Sequence, residues 1–120
     1  MLRYRPEAAR TARLLVKGKL GEWGRDDLTD AAEVVISELV ANAVRTGCQA
    51  FMLVAVRRTA DGGVRILVRD GSRELPVLIA AGNDEECHRG LVLVDELTGH
   101  HWGVTLHPRG KTIHADLAAP

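Results

Sequence analysis

The sequence predicts an α/β fold, a two-layer sandwich in which one mixed, mainly antiparallel sheet is covered on one face by helices. Three observations lead there. Two stretches with apolar residues every three or four positions open the chain and read as helices. Four stretches of strand character follow in two pairs, with a short amphipathic helix between the pairs. Each pair is joined by a glycine-containing turn, "DGG" at 61–63 and "PRG" at 108–110, which makes its two strands antiparallel neighbours. A chain of 120 residues, 46% of them hydrophobic, suits one core, so residues 1–120 are expected to form one domain. Aromatic residues are 3% of the chain, which leaves the core to Leu, Val, Ile and Ala.

Each element has its own reason. "LRYR" (2–5) is short and alternating, either an edge strand or an extended arm. Pro6 suits the first turn of the helix that follows. In that helix Ala8, Ala12, Leu15, Val16 and Leu20 share one face, and Gly21 and Gly24 end it. The second helix takes Asp27 as its N-cap and Asp30 in its first turn, where a carboxylate favours the helix dipole. Leu28, Ala32, Val35, Ile36, Leu39 and Ala43 form its apolar stripe, and Gly47 stops it. Strands are expected at 50–59 and 63–70, and again at 101–108 and 111–118. Residues 90–99 form the short helix, with Leu91, Val94 and Leu97 inward and Gly99 as the stop. Trp23 and Trp102 read as packing residues.

Charge and cysteine content narrow the function classes. Sixteen Lys and Arg balance sixteen Asp and Glu, so the chain as a whole has no pull toward nucleic acid or an anionic membrane. The charge is uneven: residues 1–25 hold seven basic and two acidic residues, and residues 26–45 hold five acidic and one basic. That asymmetry is either a guide for a protein partner or a solvated surface. Cys48 and Cys87 are the only cysteines. With no signal-peptide pattern and no apolar run long enough for a membrane span, they suit a reducing cytoplasm.

The residues with chemistry stand out against this frame. In "SELVANAVRTG" (37–47), Glu38 and Asn42 lie one helical turn apart, about 5–6 Å between Cβ atoms, on the flank of the apolar stripe. A carboxylate there is partly desolvated and can act as a base or orient a water. The amide oxygen beside it is a hard ligand that suits Mg²⁺. The plainer reading is a helix-edge glutamate with an asparagine bonded to a nearby loop. Asp70 ends a strand ahead of Gly71 and Ser72, where its carboxylate either reaches a ligand's exocyclic amine or simply closes a turn. Arg89-Gly90-Leu91 is expected to open the short helix, whose first backbone amides favour phosphate. Cys87-His88 with His100-His101 lacks the usual zinc-ligand spacing. The acidic start of the second helix argues against a helix-turn-helix.

Taken in order, Glu38-x-x-x-Asn42, Asp70-Gly71-Ser72 and Arg89-Gly90-Leu91 resemble the ATP-binding domain of the GHKL superfamily, which includes gyrase, MutL and the histidine kinases. The chain is similar above all to small stand-alone bacterial regulators related to anti-sigma-factor serine kinases. "ARLLVKGKLGEWG" (12–24) looks like their first helix and "VISELVANAV" (35–44) like their N-box. "VRDGSRELP" (68–76) and "RGLVLVDELTGHHWGV…GKTIHADL" resemble their Asp-Gly-Ser loop and their ending.

The resemblance implies a Bergerat fold with ATP and Mg²⁺ as cofactors. It implies Glu38 as the catalytic base, Asn42 as the Mg²⁺ ligand and Asp70 as the partner of the adenine amine. Ser72, His88, Arg89, Gly90 and Leu91 would join Asn42 and Asp70 in binding ATP, under a lid at 77–89. The implied activity is that of an anti-sigma-type serine/threonine kinase that phosphorylates a small antagonist protein. The implied partners are a sigma factor or that antagonist, with a homodimer possible by the same likeness and no direct nucleic acid or membrane contact. Two positions depart from the family pattern. His88 stands where relatives carry the first glycine of a Gly-x-Gly pair, and Thr46 where many carry His. If position 88 needs a positive φ, a side chain there costs about 1–2 kcal/mol. These departures keep a second reading open: a degenerate, non-catalytic module that sequesters a sigma factor or antagonist with weak or no nucleotide binding.

Overall fold

In the computed structural model, residues 2–3, 7–46, 51–71 and 85–117 are described. The order is β1 (Leu2–Arg3), α1 (Ala8–Glu22), a 3-10 turn (Asp26–Leu28), α2 (Thr29–Thr46), β2 (Phe51–Arg58), β3 (Val64–Asp70), α3 (Glu85–Leu97), β4 (Trp102–His107) and β5 (Gly110–Leu117). The strands form one sheet in the order β1-β2-β3-β5-β4. Every pairing is antiparallel, where a mixed sheet was expected. The fold class stands: a two-layer α/β sandwich with α1 and α2 packed together and α2 on the sheet. Pro6, Gly47, Ser72 and the lid residues 77–84 lie outside the described residues.

In α1 the buried positions are Ala8, Ala12, Val16 and Leu20, one every four residues. Leu15, expected on this face, is 39% exposed. A strict i, i+4 row faces α2, and position 15 lies about 100° off it. The helix ends in a Schellman motif: Arg25 N–H donates to the Leu20 carbonyl at 2.8 Å and Gly24 N–H to the Gly21 carbonyl at 3.2 Å. Gly24 holds the required positive φ of 67°. Gly21, by contrast, is an ordinary residue of the last turn.

The start of α2 differs from expectation. Asp27 sits inside the 3-10 turn, where the Arg25 guanidinium grips its carboxylate through Nε at 3.0 Å and Nη2 at 3.1 Å. That two-pronged bond commits the side chain, so the α-helix begins two residues later at Thr29. Within α2, Ala32, Val35, Ile36, Leu39, Val40 and Ala43 are buried. They meet Met52, Val64, Ile66, Val68, Ile113, Ala115 and Leu117 from the sheet, and Val94 from α3.

Helix α3 begins at Glu85, five residues ahead of the expected start at residue 90. Its first two residues are glutamates, which the helix dipole favours. Leu91 and Val94 are buried as expected, but Leu97 is 40% exposed and Thr98 takes the interior position. The Thr98 hydroxyl donates back to the Val94 carbonyl at 2.7 Å, which satisfies a polar group in that place. Gly99 stops the helix with φ of 60°. His100 also has a positive φ, and its Nδ1 lies 2.7 Å from Asp95 Oδ2. Asp95 Oδ1 accepts from Trp102 Nε1 at 2.9 Å, so one carboxylate ties the end of α3 to β4. Trp23 and Trp102 both pack against the core, and the Arg58 guanidinium lies 5.4 Å from the Trp23 ring centre.

The two rows of the central strands decide what faces the helices. On β3 the buried residues are Val64, Ile66, Val68 and Asp70; on β5 they are Gly110, Lys111, Ile113, Ala115 and Leu117. Asp70 and Lys111 are register partners at the last rung. Beside them Gly110 leaves no room for a side chain, because a Cβ there would collide with the Asp70 carbonyl. Gly18, in contrast, has nothing within 4 Å of a built Cβ and lies on the exposed side of α1. Urea unfolding should separate the two glycines. Gly18→Ala is expected to add about 0.5–1 kcal/mol, as removal of a mid-helix glycine does. Gly110→Ala is expected to cost about 1–3 kcal/mol through forced displacement of the Asp70 backbone.

Candidate functional site

Of the expected site residues, Glu38 and Asn42 are carried by α2 and Asp70 by β3, two elements in contact. Asn42 lies one turn before the end of α2 at Thr46. Residues 47–50 connect that end to β2, and so few residues span at most about 18 Å from Thr46 to Phe51. The start of β2 pairs with the end of β3, Leu53 opposite Arg69. The end of α2, which carries Asn42, is thus followed in the chain by the strand start that lies beside the end of β3, which carries Asp70. Asn42 is buried at 5% exposure, while Glu38, one turn earlier, is half-buried. Helix geometry accords with the difference: measured from Leu39, Glu38 lies about 100° around the helix axis and Asn42 about 60°.

Asp70 has no contact with solvent through its side chain. Lys111 Nζ lies 3.0 Å from both carboxylate oxygens and is itself fully buried. Two opposite charges removed from water together are held by Coulomb attraction and by charge-assisted hydrogen bonds, against the loss of hydration. The pair thus puts a fixed, ionic hydrogen-bonding group at the place where the apolar rows of β3 and β5 run out. Lys111 was missed from sequence. The signal was present: in "GKTIHADL" the alternation that turns Ile113, Ala115 and Leu117 inward also turns Lys111 inward.

The third motif is placed differently from expectation. With α3 starting at Glu85, Arg89, Gly90 and Leu91 fall in its second turn rather than at its opening. Amides there lie beyond the four that a helix leaves unbonded at its start. Leu91 turns its side chain into the interior, at 3% exposure. His88 is helical, so the positive φ and its cost do not arise at that position. Ser72 lies outside the described residues, as do the side chains of Thr46, His88 and Arg89.

A cleft of about 320 Å³ lies at the opposite end of the sheet, lined in part by Asp61, Arg65, His101 and Asp116. Arg65 grips Asp116 by two bonds, Nε–Oδ1 at 2.6 Å and Nη2–Oδ2 at 2.8 Å. It includes none of the expected site residues. The Arg65 hydrogen bonds hold the Asp116 carboxyl below the usual carboxylate range. Nearby His114 is pushed down from its usual value, first by burial and then by the Arg65 charge.

The comparisons give a fold and no more specific relation. No family model matches the chain, and no curated protein does. A solved structure that does match is the histidine kinase domain of the blue-light activated histidine kinase EL346 from Erythrobacter litoralis. The match has a TM-score of 0.50 and 21% identity, and it covers 74% of this chain. The chain spans 43% of that neighbour's length. No helix among the described residues is long and apolar enough to cross a membrane.

Two outcomes follow from these contacts. Lys111→Met, which leaves Asp70 buried without its cation, is expected to cost about 3–5 kcal/mol, whereas Asp70→Leu combined with Lys111→Met is expected to be neutral or stabilising. Denaturant titration of both proteins reads the contrast. For Asp116 the depressed folded value means that its pairing stabilises the fold above the ordinary carboxylate pKa of about 3.9 and is lost as pH falls through the folded value. Both partners are partly exposed. Asp116→Asn should therefore cost only about 1 kcal/mol at pH 7. Melting curves against pH should show that deficit shrinking below about pH 4.

The candidate residues thus lie in a two-layer α/β sandwich whose fold is similar to that of a histidine kinase domain.

Proposed function

We propose that the protein is an ATP- and Mg²⁺-binding regulatory module that acts as an anti-sigma-factor-type serine/threonine kinase on a small antagonist protein. What supports this reading is a two-layer sandwich similar to a histidine kinase domain, in which the helix that carries Glu38 and Asn42 packs on the strand that ends in Asp70. The donor set fits the ligand. Asp70 carries the acceptor type that the exocyclic amine of adenine needs. Asn42 carries a hard amide oxygen, the type that Mg²⁺ prefers. When bound, Mg²⁺ neutralises charge on the phosphates. Glu38 would take the proton of the antagonist's serine hydroxyl as that hydroxyl oxygen bonds to the γ-phosphorus and the bond from phosphorus to the β–γ bridging oxygen breaks, with ADP as the leaving group. The protein partner is a sigma factor or its antagonist, and a homodimer is consistent with a module of this kind.

A second reading has its own support. Asp70 is wholly enclosed and already engaged by Lys111. A degenerate module, which binds its protein partner and little or no nucleotide, needs no opening of that position.

Calorimetric titration with ATP, with and without Mg²⁺, distinguishes the two. Wild type is expected to bind in the micromolar to millimolar range, and Asn42→Ala to lose affinity mainly when Mg²⁺ is present. No heat at millimolar ATP would sink the kinase and leave the binding module. With a candidate antagonist and labelled ATP, Glu38→Gln should keep binding and slow phosphate transfer by about 10²–10⁴-fold, the usual contribution of a general base.

A further inference from the structure

We propose that the face of the sheet turned away from the helices is a docking surface for an acidic amphipathic helix of a partner protein. The inference does not depend on nucleotide binding and is compatible with both readings above. Strand alternation gives the sheet two faces. The sheet residues that meet the helices, among them Met52, Ile66, Val68 and Ile113, all belong to one of them. The other face carries three rungs across β2 and β3: Leu53 opposite Arg69, Ala55 opposite Leu67, and Arg57 opposite Arg65. None of these six residues enters the core. Leu53 is 44% exposed, and Arg57 and Arg69 are exposed as well.

The middle rung begins an uncharged row that continues onto the last two strands. Leu67 lies opposite His114, and His114 opposite Gly103. A Cβ at Gly103 would stand 2.8 Å from the His114 ring, so that ring lies across the glycine. Burial, and then the Arg65 charge, push His114 below its ordinary value, which leaves the ring neutral at about pH 7. Arginines border this row, Arg69 on one side and Arg57 and Arg65 on the other. Arg65 is engaged by Asp116. Arg57 and Arg69 make no hydrogen bond or ion pair among the described residues. Arg57 also stands directly opposite another arginine, an arrangement unfavourable in itself. The face therefore holds cations with nothing to pair with, on both sides of an uncharged floor. Its two bordering rungs are about 13 Å apart at the usual rise of a strand. A helix with its side chains is about 10–12 Å across and fills that width. A single added strand occupies only about 5 Å. Arginines outnumber Asp116 on these rungs, which opposes a second copy of the same face and favours an acidic partner. The rungs carry no Phe, Tyr or Trp on which a nucleic-acid base could stack.

A synthetic peptide serves as the probe: about 15 residues, long enough to hold a helix, with leucine along one side and glutamate on both flanks. Its counterparts carry lysine in place of glutamate, or the same residues in scrambled order. Fluorescence anisotropy reads the affinity, and backbone amide shifts locate the contact. The glutamate peptide is expected to bind with a micromolar Kd, to shift the amides of Ala55, Leu67 and Gly103, and to weaken about tenfold between low salt and about 0.5 M salt. Arg57→Glu combined with Arg69→Glu should lower that affinity at least about tenfold and turn the preference toward the lysine peptide. Leu67→Asp should abolish binding while thermal melts show the fold intact; if that variant does not fold, the exposed arginine pair decides. Equal binding of the scrambled peptide, shifts confined to the helices, or no binding at millimolar peptide overturns the inference. So does a dimer in sedimentation that Leu67→Asp removes, which assigns the face to a second copy of the chain. All arms are run without nucleotide, so failure here is distinct from failure of the ATP titration.

Discussion

The pairing of β3 with β5 is the constraint on which the rest of the molecule depends. The two strands are not neighbours in sequence: α3 and β4 lie between them. A chain that leaves β3 and returns by a hairpin can slip by one residue, and a one-residue slip would turn every inward side chain outward. The seven-rung register from Val64–Leu117 to Asp70–Lys111 resists this in two ways. Val64, Ile66 and Val68 face the helices beside Ile113, Ala115 and Leu117, so a slip would expose a whole apolar row. At the last rung the slip would also separate two buried charges. The register is therefore specified by apolar burial along its length and by charge at its end.

The helix layer uses the same economy. The buried row of α2 spans more than three turns, from Ala32 to Ala43, and settles the rotation of the helix about its axis. Once that rotation is set, Asn42 must be buried and Glu38 must stand at the edge, because their angular offsets from the row are fixed by helix geometry. Neither polar residue needs its own tether to reach these positions. The Schellman motif after α1 and the Arg25–Asp27 grip define how the chain enters α2, and Arg25 also donates to the Gly62 carbonyl in the β2–β3 turn. One arginine thus joins the helix connection to a sheet hairpin.

Much of this was legible in the sequence, and the limits have physical causes. The strong period of α2 and the two glycine turns defined the sandwich, because many residues voted for each element. The errors fell where few residues decide. Asp27 has the right identity for an N-cap, yet a nearby guanidinium took its carboxylate first. Leu15 and Leu97 are apolar and close to the buried rows, but α1 and α3 have room for only a narrow row, and both remain exposed. Glu38, Asn42 and Asp70 stood out as candidates because their spacing resembles a known pattern. Lys111 was not, because lysine is almost never fully buried and its strand reads as an ordinary edge of alternating polarity.

A buried lysine on a strand is informative because its presence has to be explained. Transfer of Lys111 and Asp70 out of water costs more than an apolar rung would, so stability alone does not account for them. Register is one reason for them, since a slip would separate the two charges at the last rung. The other is the chemistry that a carboxylate offers and a leucine does not. Asn42 and Glu38 approach from α2 and Asp70 from β3, each carried by an element whose position the core has already determined. A constellation placed by rigid elements keeps its geometry before any ligand arrives, and pre-organised geometry is what selective binding requires.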